Sequence, residues 1–490
     1  MPLNHNHSHK RHKRFSRETS TVNSRVLSSK SHKNAKKLVN KTQKKFVSKY
    51  ASISFSYDDK SYPKNYQTPT IVPHAGVLSK PKEGWIHITI KGEPFERGFQ
   101  HGTILADHFP YIKKVLTFMV KQDFKESLDK YMKTCAKVIK PQIAKYHPEY
   151  LEEIQGISKG AKVSVDFLIA WNSLLSMYSY YKNKNTQRCS AFIACGKATK
   201  DGKIVMAHNT HSDYATGPLA NIVMRVIPTK GHSFVMQTYA GYIASGTDWF
   251  LCDTGIIGCE TTISNINYLP KFGSPYFCRI REAMQYGTTL EEYGEIMLRN
   301  NAGDYACSWL FGDINTNRIM LCEIGLDKYN IEIKTDGVFY GMNAALDFEL
   351  RTLETNDLTF EDFTASSGAR SARLHSLLLD KYYGKIDIDI AKDIISDHYD
   401  TDKNRDKPSS LTICKHSELD AETKNSFYPW GCVDGKVIDS SMAQKMEFIG
   451  RQGASCGHSF NSKKYIREHP EYIHWKPVLR DMPSRKWVRL

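Results

Sequence analysis

The stretch Arg188-Cys189-Ser190-Ala191-Phe192-Ile193-Ala194-Cys195, with Lys200-Asp201-Gly202-Lys203 and Ile204-Val205-Met206-Ala207-His208-Asn209-Thr210 after it, decides how this chain is read. Two apolar, β-prone runs flank an Asp-Gly pair. Both turn residues tolerate φ > 0, so the pair marks a hairpin. Folding back around residues 199–202 sets the end of the second strand beside the start of the first. The polar triplet His208, Asn209 and Thr210 then falls next to Cys189. A Cys at the head of a strand is most often a small buried apolar residue. It gains a second meaning if the bond between Arg188 and Cys189 is cut. The freed α-amine has a reference pKa of about 7.7–8.0 and can take the thiol proton near neutral pH. Nucleophile and base would then share one residue, with the triplet orienting the amine or donating to an oxyanion.

Further blocks follow in order. They are Gly84-Trp85, Pro94-Phe95-Glu96-Arg97-Gly98-Phe99-Gln100-His101-Gly102, Gly258-Cys259-Glu260-Thr261-Thr262-Ile263, the run from Gly303 to Asp313, Gly341-Met342-Asn343, Ala369-Arg370-Ser371-Ala372-Arg373, Val433-Asp434-Gly435-Lys436, and the end from His469-Pro470-Glu471 to Met482-Pro483. Over residues 80–490 this set resembles the phospholipase B-like and penicillin-acyltransferase-like family of cysteine N-terminal-nucleophile (Ntn) hydrolases. The resemblance implies an α+β fold, a four-layer αββα sandwich with a helical N-terminal pro-segment. It implies a precursor that cuts itself before Cys189 by an N-to-S acyl shift, leaving two associated chains. Cys189 would be the nucleophile, and His208, Asn209 and Thr210 would line its site. His211, Tyr305, Cys307 and Asn343 are the further oxyanion or pocket candidates. Two positions depart from the family pattern. Cys307 stands where relatives carry Asn, in Gly-x-Tyr-x-Asn-x-Trp aligned with Gly303–Trp309, and a thiol is the weaker donor. Losing one oxyanion donor costs about 10²–10³ in rate. His211 stands where relatives carry Trp, which adds a titrating group.

At 490 residues and 40% apolar content, the chain is long enough for a large core. Its net charge of +16 is uneven. Residues 1–50 hold fourteen Lys or Arg against the single acid Glu18, which leaves +3 for the remaining 440. The basic character belongs to this tail, which is rich in His, Ser, Lys and Asn and reads as disordered. It suits contact with nucleic acid or an anionic membrane surface, or no partner at all. It lacks the apolar h-region of a secretory signal. A cytoplasmic or particle-packaged location is therefore the default, although phospholipase B-like relatives are usually lysosomal or secreted. No apolar run of about 18 residues occurs, so no transmembrane segment is expected. The 11 cysteines contain no CxxC pair, so neither a zinc nor a redox motif is read. No cofactor and no metal are expected.

The expected organisation is a basic tail over 1–50, a linker over 51–80, a mainly helical N-terminal segment over 81–188 and the αββα catalytic domain over 189–490. Gly84–Lys91 alternates as a strand, and a helical block runs from Glu96 to Tyr181. Period-two runs follow at Asn221–Val226, Ser233–Thr238 and Ile256–Ile263. Ser308–Phe311 and Arg318–Ile324 read as a hairpin around Asn315-Thr316-Asn317. Ile331–Ile333 and Val338–Tyr340 read as another around Asp336-Gly337. Helices are expected near Pro275–Tyr286, Leu290–Asn300, Ala372–Tyr382 and Ile390–Ser396. Arg279 and Arg281 read as a solvated helix face, with carboxylate or phosphate binding as the rival. Glu260 and Asp313 read as structural hydrogen-bonding acids, with buried acids near the site as the rival. The functional expectation is acyl transfer from an amide or ester, a lipid ester included, to water or an amine. Its rival is a slow or inert family member whose tail binds polyanions.

Overall fold

The computed structural model describes residues 76–182 and 189–490. The basic tail and nearly all of the linker lie outside them, as does Arg188. The end of the expected linker is already a strand: Val77–Leu78 pairs with Ile88 and Thr89.

The helical block is a run of seven short helices between Pro94 and Tyr180. Their starts are written in the sequence. Pro94, Pro141 and Pro148 sit in first turns, where a missing N–H costs nothing. Ser127 and Ser164 cap their helices by accepting from the backbone N–H of Lys130 and Phe167. Helices Pro94–Ile104 and Pro148–Ala161 lie in backbone contact because glycines face each other. A Cβ on Gly98 would stand 2.0 Å from the Glu153 carbonyl oxygen, and one on Gly156 would stand 2.2 Å from that of Phe95.

Two sheets form the centre. From edge to edge, the first runs Val77–Leu78, Ile86–Gly92, Ile222–Pro228, Phe234–Thr238, Trp249–Cys252, Ile256–Thr262, Cys307–Asp313, Arg318–Ile324 and Tyr329–Lys334. All its neighbours are antiparallel except Ile86–Gly92 with Ile222–Pro228. The second runs Gly337–Gly341, Cys189–Cys195, Val205–Asp213, Asp434–Asp439, Ile449–Gln452 and Val488–Arg489, with Trp430–Cys432 also on Val205–Asp213.

Alternation along the strands separates three apolar layers. Ile193, Met206, Leu251, Ile257, Leu310 and Phe339 meet between the sheets. Met236, Phe250, Trp309 and Phe311 face the N-terminal helices and the pair Tyr276–Tyr286 and Leu290–Leu298. Phe192, Ala194, Val205 and Val437 face helices Ser366–His375 and Ile388–Ile395. The order is helix, sheet, sheet, helix: the expected αββα sandwich.

One expected hairpin does not form. Tyr329–Lys334 pairs with Arg318–Ile324, whereas Gly337–Gly341 crosses to the other sheet and pairs with Cys189–Cys195. The Asp336-Gly337 turn redirects the chain instead of closing it. Gly337 takes φ 118, and the Asp336 carboxylate accepts from the Lys197 N–H at 2.6 Å. Crossing buries Val338 and Phe339, which a solvent-facing hairpin would leave exposed. Arg279 and Arg281 also differ from expectation. Both are fully buried, Arg281 on Glu153 at 3.0 Å and Arg279 at 3.7 Å from Asp304. Glu153 also takes Arg97 at 2.6 Å, so one carboxylate ties two helices of the N-terminal segment to the sandwich.

Candidate active site

The hairpin read from the Asp-Gly pair is present, and its register fixes the site. Cys189 pairs with Thr210, Ser190 with Asn209 and Ala191 with His208. Gly196 and Gly202, both at positive φ, close the turn, with the Gly196 N–H on the Gly202 carbonyl at 3.0 Å.

Strand alternation then divides the triplet. Thr210 is on the Cys189 side and lines the same cavity, together with His211, Asp213 and Asp248. Its apolar wall comes from the N-terminal helices, chiefly Trp171, Leu174, Leu175 and Tyr178. The cavity encloses about 30 Å³, room for water alone.

Asn209 points the other way. Its carboxamide donates to the carbonyls of Ile395 (2.7 Å) and Ile413 (3.2 Å) and accepts from the Ser190 N–H (3.1 Å). Both its N–H bonds are spent on backbone, so it positions the Cys189 strand and does not face the cavity. His208 sits between the sheets with Nε2 on the Glu260 carbonyl at 2.9 Å. His211 places Nε2 on the Ile413 carbonyl at 3.0 Å. Burial drives both imidazoles well below their ordinary pKa, helped by Lys436 at His208 and by Arg370 at His211, so both are neutral.

Asn343 is brought to Cys189. Its Oδ1 accepts from the Cys189 backbone N–H at 3.2 Å and from Arg370 Nη2 at 2.9 Å. Its own amide donates to the Thr262 carbonyl at 3.0 Å. Asn343 adopts φ 77, a left-handed conformation that Asn tolerates better than most residues. Arg370 is fully buried and also reaches the Cys189 carbonyl and Ser190 Oγ. Burial lowers its guanidinium to about 10. Tyr305 and Cys307 stand apart from the cavity. The Tyr305 hydroxyl meets Thr262 Oγ1 and, at 3.4 Å, Glu260. Cys307 packs into the helix-facing apolar layer with Trp309 and Phe311. The oxyanion role expected for its position is therefore not supported by where its side chain lies.

The Cys189 thiol is fully buried. Burial, and then the charges of Asp248 and Glu260, push it well above an ordinary thiol, with Lys436 opposing. Lys436 is buried too. It pairs with Asp434 at 2.9 Å and donates to Thr210 Oγ1 at 3.0 Å, while Asp434 also accepts from the Thr210 N–H. Asp248, at φ 59, was not legible in the sequence, because no motif marks it. Arg370, Asp434 and Lys436 lie in the blocks already quoted, although nothing in their spacing assigned them a place. Asp313 is confirmed as structural: it caps the turn at Asn315 and Thr316.

Among known proteins, 389 residues (70% of this chain) align at 23% identity with 64% of an uncharacterized protein of Archaeoglobus fulgidus. Over 136 residues the chain is 26% identical to phospholipase B-like protein F of Dictyostelium discoideum. Over 147 residues it is 26% identical to the putative phospholipase B-like 2 of Rattus norvegicus. The chain is similar to the phospholipase B-like proteins. The match spans 24% of the length of each of these two relatives and 26% of this chain. No family model matches. Among solved structures, a mutant of conjugated bile acid hydrolase from Clostridium perfringens superposes over 54% of this chain and 89% of its own, at 10% identity and TM-score 0.32. Penicillin V acylase from Agrobacterium tumefaciens does so over 54% and 83%, at 11% identity and TM-score 0.28. The αββα layering rests on strand order and core layers, not on these superpositions. No helix among the described residues is long and apolar enough to cross a membrane.

Proposed function

We propose that this chain is the precursor of a cysteine Ntn acyl hydrolase, with Cys189 as the nucleophile of both its maturation and its turnover. The observation that carries this reading is the environment of one residue. Cys189 heads an interior strand, its backbone nitrogen is held by Asn343 Oδ1, and it shares a cavity with Thr210 and Asp248.

In maturation the thiol adds to the carbonyl carbon of residue 188 while its proton passes to the Cys189 nitrogen. The C–N bond breaks, leaving a thioester and a free α-amine. Water hydrolyses the thioester, giving a carboxylate on residue 188 and the thiol of Cys189. In turnover that α-amine takes the thiol proton, and the thiolate attacks an amide or ester carbonyl. The leaving amine or alcohol departs with the proton from the ammonium. Water, activated by the same amine, then releases the acid. Asn343 is suited to orient the amine, since it already accepts from that nitrogen. The wall of Trp171, Leu174, Leu175 and Tyr178 would face an apolar acyl group, which the cavity of about 30 Å³ must widen to admit. A lipid ester is consistent with the phospholipase B-like similarity.

The test is intact mass under denaturing conditions, for the full chain and a Cys189→Ala variant, after incubation at neutral and acidic pH. Expected are fragments of residues 1–188 and 189–490, absent in the variant. A chain that stays whole under every condition, and forms no Cys189 adduct with an activated ester, would overturn the proposal in favour of an inert member.

A further inference from the structure

The fold collects four side chains whose spacing in the sequence hides them. His398, Cys414, His416 and Cys456 present one ligand atom each, all within 4.8 Å of one another. Read along the chain, the cysteines gave no metal motif. Three separate segments build the cluster: His398 just before the strand Tyr399–Asp400, the bend and bridge over Cys414-Lys415-His416, and the loop after Ile449–Gln452. Backbone bonds hold them together. The Cys414 N–H donates to the Asp397 carbonyl at 3.0 Å, and the Cys432 N–H to that of Lys415 at 2.8 Å. The bend over residues 412–414 turns the Cys414 thiol onto the His416 ring, with Sγ 3.3 Å from Nε2.

We propose that these four residues bind a structural zinc ion. Two thiolates and two imidazoles in a closed set of four form a typical structural zinc environment. Bond lengths of about 2.3 Å to sulfur and 2.0–2.1 Å to nitrogen give a tetrahedron with edges of about 3.3–3.8 Å. His416 Nε2 already lies 3.3 Å from Cys414 Sγ and 3.4 Å from Cys456 Sγ. The surroundings suit ligation as well. His416 Nδ1 is 2.7 Å from Glu418 Oε1, so that nitrogen carries the proton and Nε2 turns its lone pair to the cluster. Backbone N–H of His458 donates to Cys456 Sγ at 3.3 Å. Two thiolates cancel the charge of the ion, so the complex is neutral and its burial is tolerable. Cys432 is near but stands outside the set, its sulfur on the Asp434 carbonyl at 3.2 Å. Four protein ligands leave no open position, which makes the ion structural rather than catalytic. Its mechanical role follows from Ile413, next to Cys414. The Ile413 carbonyl receives Ser190 Oγ, Asn209 and His211, so the ion would fasten the run that braces the Cys189 strand.

The experiment is metal analysis of the full chain purified without chelator, with intact mass on the same sample, followed by cobalt(II) substitution. Expected are one zinc per chain, no disulfide, and the visible d–d bands of tetrahedral thiolate-ligated cobalt. Cys456→Ser at a half-buried position should lose the metal while its circular dichroism stays native. Cys432→Ser should keep it. A folded chain that carries no zinc and takes up neither metal overturns the proposal, as does a mass 2 Da low from a Cys414–Cys456 disulfide. Zinc retained in folded Cys456→Ser and in His398→Ala would equally overturn it. None of these readouts depends on acyl hydrolysis, so the proposal stands or falls apart from the reading of Cys189.

Discussion

At the scale of single residues, the candidate chemistry converges on the nitrogen of Cys189. Asn343 Oδ1 accepts from it, and Arg370 holds that same oxygen from the other side. If Asn343 orients the α-amine after cleavage, Asn343→Ala should slow turnover by about 10²–10³, within the range of positioned acid–base catalysis. Asn343→Asp is the sharper test, because Asp also tolerates a positive φ. A carboxylate beside the amine favours the ammonium form, so the acid limb of the kcat/KM profile should move to higher pH. A purely structural Asn343 would leave that limb in place, and a pH–rate series on the mature enzyme decides between them. His208 and Asn209 show what single-sequence reading leaves out. Their neighbourhood to Cys189 follows from the hairpin. Which face each side chain takes is set by the register, where a one-residue slip would exchange them.

At the scale of elements, the contact of Pro94–Ile104 with Pro148–Ala161 makes a test whose sign is informative. On helix propensity alone, Gly156→Ala should stabilise the protein by about 1 kcal/mol. The close approach to the Phe95 carbonyl predicts the reverse, a loss of about 1–3 kcal/mol from overpacking. Thermal melting of the two proteins reads the sign directly. Elements with local signals were legible: the helical block from Glu96 to Tyr181, the Asp-Gly hairpin beside Cys189, and the Ser308–Ile324 pair seen as Cys307–Asp313 with Arg318–Ile324. The Asp336-Gly337 turn was not. A turn dipeptide states that the chain bends there, whereas the sheet that receives the next strand depends on partners distant in sequence.

At the scale of the whole molecule, pH acts through buried histidines that the fold keeps neutral. His101 accepts from the Gly241 N–H at 2.8 Å, and burial lowers its pKa to about 4, with Arg281 adding to the effect against Glu153. His147 is likewise lowered to about 4, by burial and then Arg279. Above about pH 6.5 neither the folded nor the unfolded chain protonates these groups, and their contribution is constant. Between about 6.5 and 4 the unfolded chain binds protons that the folded chain refuses, so stability falls as pH falls, by at most about 1.4 kcal/mol per pH unit for each group. Replacing His101 with Gln, which can still accept from Gly241, should flatten the melting temperature between pH 7 and 4; an unchanged slope would remove His101 from the account. Readable from the amino-acid order are the nucleophile candidate, the hairpin that frames it, the helical N-terminal segment and the α+β class. The hairpin, the helical segment and the α+β class are fixed by residues within a few positions of one another, through turn chemistry and periodicity, whereas the nucleophile is what the family resemblance over residues 80–490 implies. It took the packed fold to show that Asn343 and Arg370 meet Cys189, that Asn209 turns away, that Arg279 and Arg281 are buried, and that His398, Cys414, His416 and Cys456 converge. Those contacts join residues from 2 to 204 positions apart, and sequence spacing carries no record of which distant segments the two sheets will stack together.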